Sequence, residues 1–296
     1  MLRRGSLDEV ISLAEIAPTR VAQVMGRHRV VLDRLSHHHH HSHEKLLTLT
    51  WDSLDEETRR RNLDRMVYLV LRMSRVAAPR VVRRDGLPVL SSYRFHQDEL
   101  DVDATLERMI ASGSRVADYA DLVVQERSPR RRCYLVIMDE SRSMRGSKAV
   151  AAALATSTLI LNLPPEDEWG LVAFNDHGRT LRAAGRHRAH DEIIREILSM
   201  RPEGCTDIAR GLEAGLKQIA RARAQDRIGI VISDGWLNTG PDPLPLVRQF
   251  TRLHVIELPG GDHDLCTRMA QVGRGIAAPV RELHEVPRAV RRCLSR

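Results

Sequence analysis

Aromatic residues are nearly absent from this 296-residue chain, at 3%. A core must therefore be assembled from Leu, Val, Ile, Ala and Met, a palette that suits parallel strands covered by helices. The same scarcity argues against a platform on which nucleic-acid bases would stack. Cysteine is sparse too. The four, Cys133, Cys205, Cys266 and Cys293, are widely spaced and make neither CxxC pairs nor a His/Cys zinc pattern. Long apolar runs are missing: no stretch approaches the roughly 20 residues needed to span a bilayer. The opening stretch, MLRRGSLDEVISLAEIAPTR, is broken by charges and lacks the apolar segment of a signal peptide. These absences together lead to the expectation of a cytoplasmic protein in a reducing compartment.

What is present is ordinary for a folded chain, with 42% hydrophobic and 29% charged residues. The length favours two domains. The formal charge is +7, but residues 1–130 carry 21 Lys/Arg against 19 Asp/Glu, so most of the excess lies further on and is dispersed. The basic clusters include Arg130–Arg132 and Arg288, Arg291, Arg292 and Arg296. Runs of that size are usually solvated faces, so the charge does not point to a nucleic-acid partner.

Apolar residues at three- and four-residue spacing (Val10, Ile11, Leu13, Ile16, Val21, Val24) predict short amphipathic helices broken near Pro18. The tract HHHHHSH, residues 37–43, has no apolar content and reads as a surface loop, with adventitious or regulatory metal binding as the alternative. Ser53 and Glu56 have capping-box spacing ahead of a helix whose apolar face is Leu63, Met66, Val67, Val70, Leu71 and Val76. Asp103 is expected to cap a further helix ended by Gly113. The segment from Glu126 to Arg132, rich in arginine and holding Pro129, is the expected boundary between a smaller, mainly helical region (1–130) and a second domain (131–296).

Beyond the boundary the texture changes to strands alternating with helices. CYLVIMD (133–139) is an unbroken apolar run, followed by an Ala/Leu-rich helix from Lys148 to Leu163 that Pro164-Pro165 stops. WGLVAFN (169–175), IGIVISD (228–234) and LHVIEL (253–258) are further strands, with a short one near Thr180–Ala183. Helices are expected over 191–200, 206–222, before Phe250, over 265–272 and after Pro287. The alternation predicts an α/β fold with a doubly wound, mostly parallel, Rossmann-like sheet.

In such a sheet ligands collect at the carboxyl ends of strands. Three segments there carry oxygen donors: Asp139-Glu140-Ser141-Arg142-Ser143, Gly204-Cys205-Thr206-Asp207, and Asp234-Gly235. Any one of them alone could be no more than a helix cap or turn. Taken together and in this order, Asp-x-Ser-x-Ser, a distal Thr before a helix and a later Ser-Asp-Gly resemble the metal-ion-dependent adhesion site of von Willebrand A (vWA) domains. The resemblance covers residues 131–296. It implies direct metal contact from Ser141, Ser143 and Thr206, with Asp139 and Asp234 acting mostly through water and hydrogen bonds. Mg²⁺, or Mn²⁺, suits such a set, because a hard ion held by neutral hydroxyls stays short of anionic partners and accepts a carboxylate from another protein. Asp207 is open to two readings, support for the site or a first-turn helix residue. Glu140 and Arg142 are expected to edge a partner surface, and Trp236 to be either an anchor for it or a cover over the loop.

No GxxxxGK[ST] loop and no GxSxG elbow is present, so neither nucleotide hydrolysis nor acyl transfer is expected; His177, His187 and His190 read as surface loop histidines. The stretch SYRFHQDELDVDATLERM (92–109), with the Arg-rich approach to the first strand, resembles the vWA proteins that accompany MoxR-type AAA+ ATPases, among them NorD, CbbO and CoxE-like proteins. That resemblance implies a non-enzymatic adaptor, linking an ATPase to a client protein whose acidic residue occupies the metal site. An RNA-associated vWA protein and a magnesium-chelatase-like accessory subunit are the alternatives.

Overall fold

The computed structural model describes residues 4–27, 40–76, 87–94, 100–128, 131–222 and 224–295. It divides into two compact units, one formed by residues 1–81 with 132–296 and the other by residues 82–131.

The larger unit is built on a six-stranded sheet. Its strands are β3 (Arg132–Asp139), β4 (Glu168–Phe174), β5 (Gly178–Arg182), β6 (Asp226–Ser233), β7 (Arg252–Glu257) and β8 (Arg274–Pro279), in the spatial order β5-β4-β3-β6-β7-β8. All neighbours are parallel except β5, which runs antiparallel to β4 at one edge. The expected mostly parallel, doubly wound α/β fold is therefore observed. β3 is completely buried because it has a layer on each side. Tyr134, Val136 and Met138 face one apolar cluster, while Cys133, Leu135 and Ile137 face the other. This is the two-residue period of a strand expressed between two covered faces, and it explains why the sequence run shows no polar alternation.

Helices α6 (Ser147–Asn162), α7 (His190–Ser199) and α11 (Val286–Leu294) belong to the first cluster, and α8 (Ile208–Ile219) and α10 (His263–Val272) to the second; α9 (Leu244–Val247) is a single turn. α8 lies very close to the sheet. A Cβ at Gly211 would stand 2.5 Å from the Phe174 ring, and one at Gly215 2.5 Å from Leu135, so only glycine permits this approach. β8 was not anticipated: RGIAAP has no apolar alternation and ends in proline, features of an edge strand that only its neighbour β7 organises.

The N-terminal helices are part of the same core. α1 (Arg4–Ile16), α2 (Pro18–Arg27), α3 (His40–Thr50), the turn that follows it and α4 (Glu56–Val76) contribute Ala14, Met25, Leu47, Trp51, Met66 and Val70 to the cluster that holds Tyr134, Leu154 and Ile194. Trp51 is fully buried and donates its indole N–H to the Leu198 carbonyl at 2.9 Å. Arg59 donates to the carbonyls of Leu198 and Met200 at 2.5 and 2.6 Å. Those carbonyls end α7, so the helical segment satisfies acceptors that the α7 C-terminus leaves open. The division expected at residue 130 thus separates helices that share one core with the sheet.

Local details also differ from the sequence reading. α4 is capped by Asp55, whose carboxylate accepts from the Thr58 N–H (3.0 Å) and hydroxyl (2.8 Å), whereas Ser53 lies in a 3-10 turn over Trp51–Ser53. His37–His39 lie outside the described residues; His40–His43 begin α3, and His43 is buried, so this half of the tract is helix rather than loop.

The smaller unit pairs β1 (Leu87–Ser92) antiparallel with β2 (Val123–Ser128) and adds α5 (Val102–Ser112). Asp101, not Asp103, caps α5 by accepting from the Ala104 N–H at 2.9 Å, and Gly113 ends it in the left-handed conformation (φ 71°) as expected. The Thr105 hydroxyl accepts from Val123 N–H at 3.0 Å, tying helix to strand. The two strands escaped the sequence reading because LPVLSS and VVQERS are short, neither alternates regularly, and the first contains a proline.

Because Trp51 belongs to the core beneath the sheet, Trp51→Ala should destabilise the whole larger unit by about 3–5 kcal/mol. Urea unfolding followed by far-ultraviolet circular dichroism should show one transition at a lower midpoint. A separate early transition, with the main midpoint unmoved, would mean that the N-terminal helices are merely appended.

Candidate metal centre

The strand order reverses between β3 and β6, since β4 lies to one side of β3 and β6 and β7 to the other. Asp139 is the last residue of β3 and Asp234 follows the last residue of the adjacent β6. Both carboxylates are almost completely buried, at 2% and 1% exposure.

The Asp139 side chain organises its surroundings. One oxygen accepts the Ser141 N–H at 2.8 Å and the other the Ser233 hydroxyl at 2.6 Å. The first of these bends the chain back so that the Ser141 and Ser143 hydroxyls come within 3.1 Å of each other. The second joins β3 to β6, and the Ser233 oxygen also accepts the Gly235 N–H at 2.9 Å. Burial pushes the Asp139 pKa up to about 6, against the pull of the hydrogen bonds from Ser141 and Ser233; the Asp234 charge raises it further.

The second segment is tied to the first by the backbone. Arg142 N–H donates to the Gly204 carbonyl (3.3 Å) and Glu203 N–H to the Glu140 carbonyl (3.0 Å). Thr206 is buried, and its N–H donates to the Asn238 side-chain oxygen at 2.7 Å. Asp207 caps α8 by accepting the Arg210 N–H at 3.0 Å, which fits the helix-residue reading of this side chain. The third segment is fixed by Asp234, which accepts the Trp236 N–H at 3.1 Å and, through its backbone carbonyl, the Asp262 N–H at 2.9 Å. Gly261 packs so tightly here that a Cβ would fall 1.7 Å from the Asp234 carbonyl oxygen.

The five residues singled out in the sequence, Asp139, Ser141, Ser143, Thr206 and Asp234, thus lie on three cross-tied loops at one end of the sheet. Asn238 and Asp176 were not foreseen, and Ser233 figured only as the first residue of Ser-Asp-Gly, yet all three hold those loops: Asn238 fixes Thr206, and Asp176 accepts the Cys205 N–H at 3.0 Å. Only Ser233 carried a sequence signal, as the residue before Asp-Gly. Glu140 is not at a surface edge. It is buried and bound by Arg179 of β5 through two hydrogen bonds of 3.0 and 2.7 Å, while Trp236 is 55% exposed. His177 and His187 are exposed, and the His190 ring lies against Trp169 rather than at the centre. All four cysteines are free, and burial pushes the thiols of Cys133, Cys266 and Cys293 up to about 12.

The donor set fits a hard divalent cation. It offers hydroxyls in front of two buried carboxylates close enough for one to perturb the other, and a cation of the chain, the Lys148 ammonium, already lies 2.7 Å from Asp234. Among the described residues no group of three His, Cys, Asp or Glu forms a softer site.

Residues 134–236 match the von Willebrand factor type A domain family. Over this segment the chain is similar to vWA domains. Solved structures similar to the chain include a von Willebrand factor type A protein from Catenulispora acidiphila, at 17% identity and a TM-score of 0.49, covering 58% of this chain and 44% of that one. Another is an aerotolerance-related membrane protein from Bacteroides fragilis, at 17% identity and a TM-score of 0.46, covering 55% and 98%. A third is proximal thread matrix protein 1 of the mussel byssus with a zinc-occupied MIDAS motif, at 13% identity and a TM-score of 0.47, covering 56% and 45%. No curated protein matches the sequence. No helix among the described residues is long and apolar enough to cross a membrane.

The N-terminal helices reach the vWA loops through Asp52. Its carboxylate accepts the Gly146 N–H, three residues beyond Ser143, and lies 3.8 Å from the Arg59 guanidinium. Burial outweighs Arg59, Gly146 and Arg145 and raises the Asp52 pKa to about 6. The folded protein therefore holds this proton more tightly than the unfolded chain. The resulting stability is complete below about pH 4 and is lost as pH rises through about 6, by up to roughly 3 kcal/mol. Asp52→Asn, neutral at every pH, should abolish that decline relative to wild type when urea midpoints are compared from about pH 4 to 7 in EDTA; parallel curves for the two proteins would exclude it.

Proposed function

We propose that the chain is a metal-dependent protein-binding adaptor rather than an enzyme, with Asp139, Ser141, Ser143, Thr206 and Asp234 holding Mg²⁺ or Mn²⁺. What carries this reading is that three sequence-distant loops, two following the ends of β3 and β6 and one leading into α8, are tied together around one pair of buried carboxylates inside a vWA domain. Ser141, Ser143 and Thr206 would bind the ion directly, while Asp139 and Asp234 supply charge from behind. The ion, when bound, supplies an electrophilic position that an acidic side chain of a client protein completes. The chain's own residues do the rest. Asp139 holds the Ser141 backbone, Glu140 locks Arg179 against the first loop, and the exposed Trp236 beside Asp234 presents an apolar anchor at the rim.

The same reading assigns the driving energy to a partner. The resemblance of residues 92–109 to MoxR-associated vWA proteins supports a AAA+ ATPase in that role, with the client remodelled by ATP hydrolysis elsewhere. In this reading the adaptor works in the cytoplasm.

Capture of partners on the immobilised chain from native extract, in Mg²⁺ and in EDTA, tests this directly. Wild type should retain a AAA+ ATPase and a second protein that EDTA releases. Asp139→Ala, and Ser141→Ala combined with Ser143→Ala, should lose the second protein at least about tenfold while keeping a wild-type circular dichroism spectrum. Retention that ignores both metal and these substitutions, or recovery of RNA alone, would remove the centre from the mechanism.

A further inference from the structure

The carboxylate of Asp234 is already held by a cation belonging to the chain. Lys148 Nζ lies 2.7 Å from one Asp234 oxygen, and the other accepts the Trp236 N–H at 3.1 Å. The pair is withdrawn from solvent, with the carboxylate side chain 1% and the lysine side chain 19% exposed. The other acidic groups nearby are engaged differently: Asp139 by the neutral donors Ser141 and Ser233, Glu140 by Arg179, and Asp207 as the cap of α8.

Lys148 is also out of place by the rules of helices. It is the second residue of α6, whose first turn contains no acidic residue, and a positive charge there opposes the helix dipole. Local helix preference therefore does not explain it; Asp234 does. Such a departure from local consistency is expected where a site imposes its own demand.

Building on the metal-site reading above, we infer that Lys148 is a built-in counter-cation that competes with the divalent ion for Asp234. In the metal-free protein the ammonium neutralises a buried carboxylate that would otherwise be uncompensated, a costly arrangement. It keeps the Asp234 loop ordered between loadings. When a divalent ion enters, it shares Asp234 with a neighbouring positive charge, so the centre binds metal less tightly than its two carboxylates would allow. The charge balance also selects the next ligand. Asp139, Asp234 and Lys148 leave one net negative charge, and a divalent ion turns this into one net positive charge, which favours an anionic ligand. Without Lys148 the loaded centre would be neutral.

The test is Mn²⁺ alone, titrated into wild type, Lys148→Met, Lys148→Arg and Asp139→Ala, with free Mn²⁺ read by electron paramagnetic resonance and melting temperatures taken in EDTA and in Mn²⁺. Lys148→Met should bind Mn²⁺ about tenfold more tightly than wild type, melt lower in EDTA and gain more from Mn²⁺. Lys148→Arg, which keeps the charge, should stay near wild type. If Lys148→Met does not fold, Lys148→Gln takes its place. Mn²⁺ binding by Lys148→Met equal to or weaker than wild type, with Asp139→Ala deficient, would overturn the inference and leave the metal centre standing. Absence of Mn²⁺ binding in wild type and Lys148→Met alike would bring down the metal-site reading and this inference with it.

Discussion

Two buried carboxylates at the ends of adjacent parallel strands set the terms for everything around them. Asp139 and Asp234 cannot share a dry space without compensation, and the chain supplies it from several directions: the Ser141 N–H and Ser233 hydroxyl on Asp139, and the Trp236 N–H and Lys148 ammonium on Asp234. Each compensating group fixes a loop. The β3–α6 turn is shaped by its bond to Asp139, the segment after β6 by its bonds to Ser233 and Asp234, and Thr206 is drawn in through Asn238. The result is a concentration of negative charge that the fold tolerates because it is suited to a cation.

The sheet explains why this can be done economically. A parallel sheet aims all its C-terminal strand ends the same way, and the reversal of strand order between β3 and β6 opens a crevice there. The stiff, fully buried β3 delivers Asp139 to that crevice with little freedom. Beneath it, the N-terminal helices complete the core and touch the same machinery at a second level. Trp51 and Arg59 hold the end of α7, and Asp52 holds Gly146 at the start of α6, the helix that carries Lys148. A change in the packing of these helices therefore has a short physical route to the first loop of the candidate centre and to Lys148.

Much of this was legible in the residues themselves. The apolar runs ending in Asp139 and Asp234 could only be buried strands, and alternation with amphipathic helices left a doubly wound sheet as the consistent arrangement. The Ser, Thr and Asp of the candidate centre were readable as a set because three such segments, each ordinary alone as a cap or turn, recur in one order at strand ends and before a helix. Edge elements were harder: β8, β1 and β2 are short and carry weak apolar patterns. Caps one or two residues away from the expected ones, Asp55 for Ser53 and Asp101 for Asp103, reflect the near-equivalence of Ser and Asp as caps, which packing resolves.

By itself the sequence determined the fold class of the second half and marked the candidate oxygen donors, because burial periodicity and donor chemistry are local properties of a strand and its following turn. Only the tertiary structure decided that helices α1 to α4 complete the core under the sheet, that Glu140 turns inward to Arg179, and that Lys148 faces Asp234. These are pairings between segments tens of residues apart. A charged side chain in a sequence carries no sign of its partner, and the desolvation that makes such a pair matter exists only once the chain has closed around it.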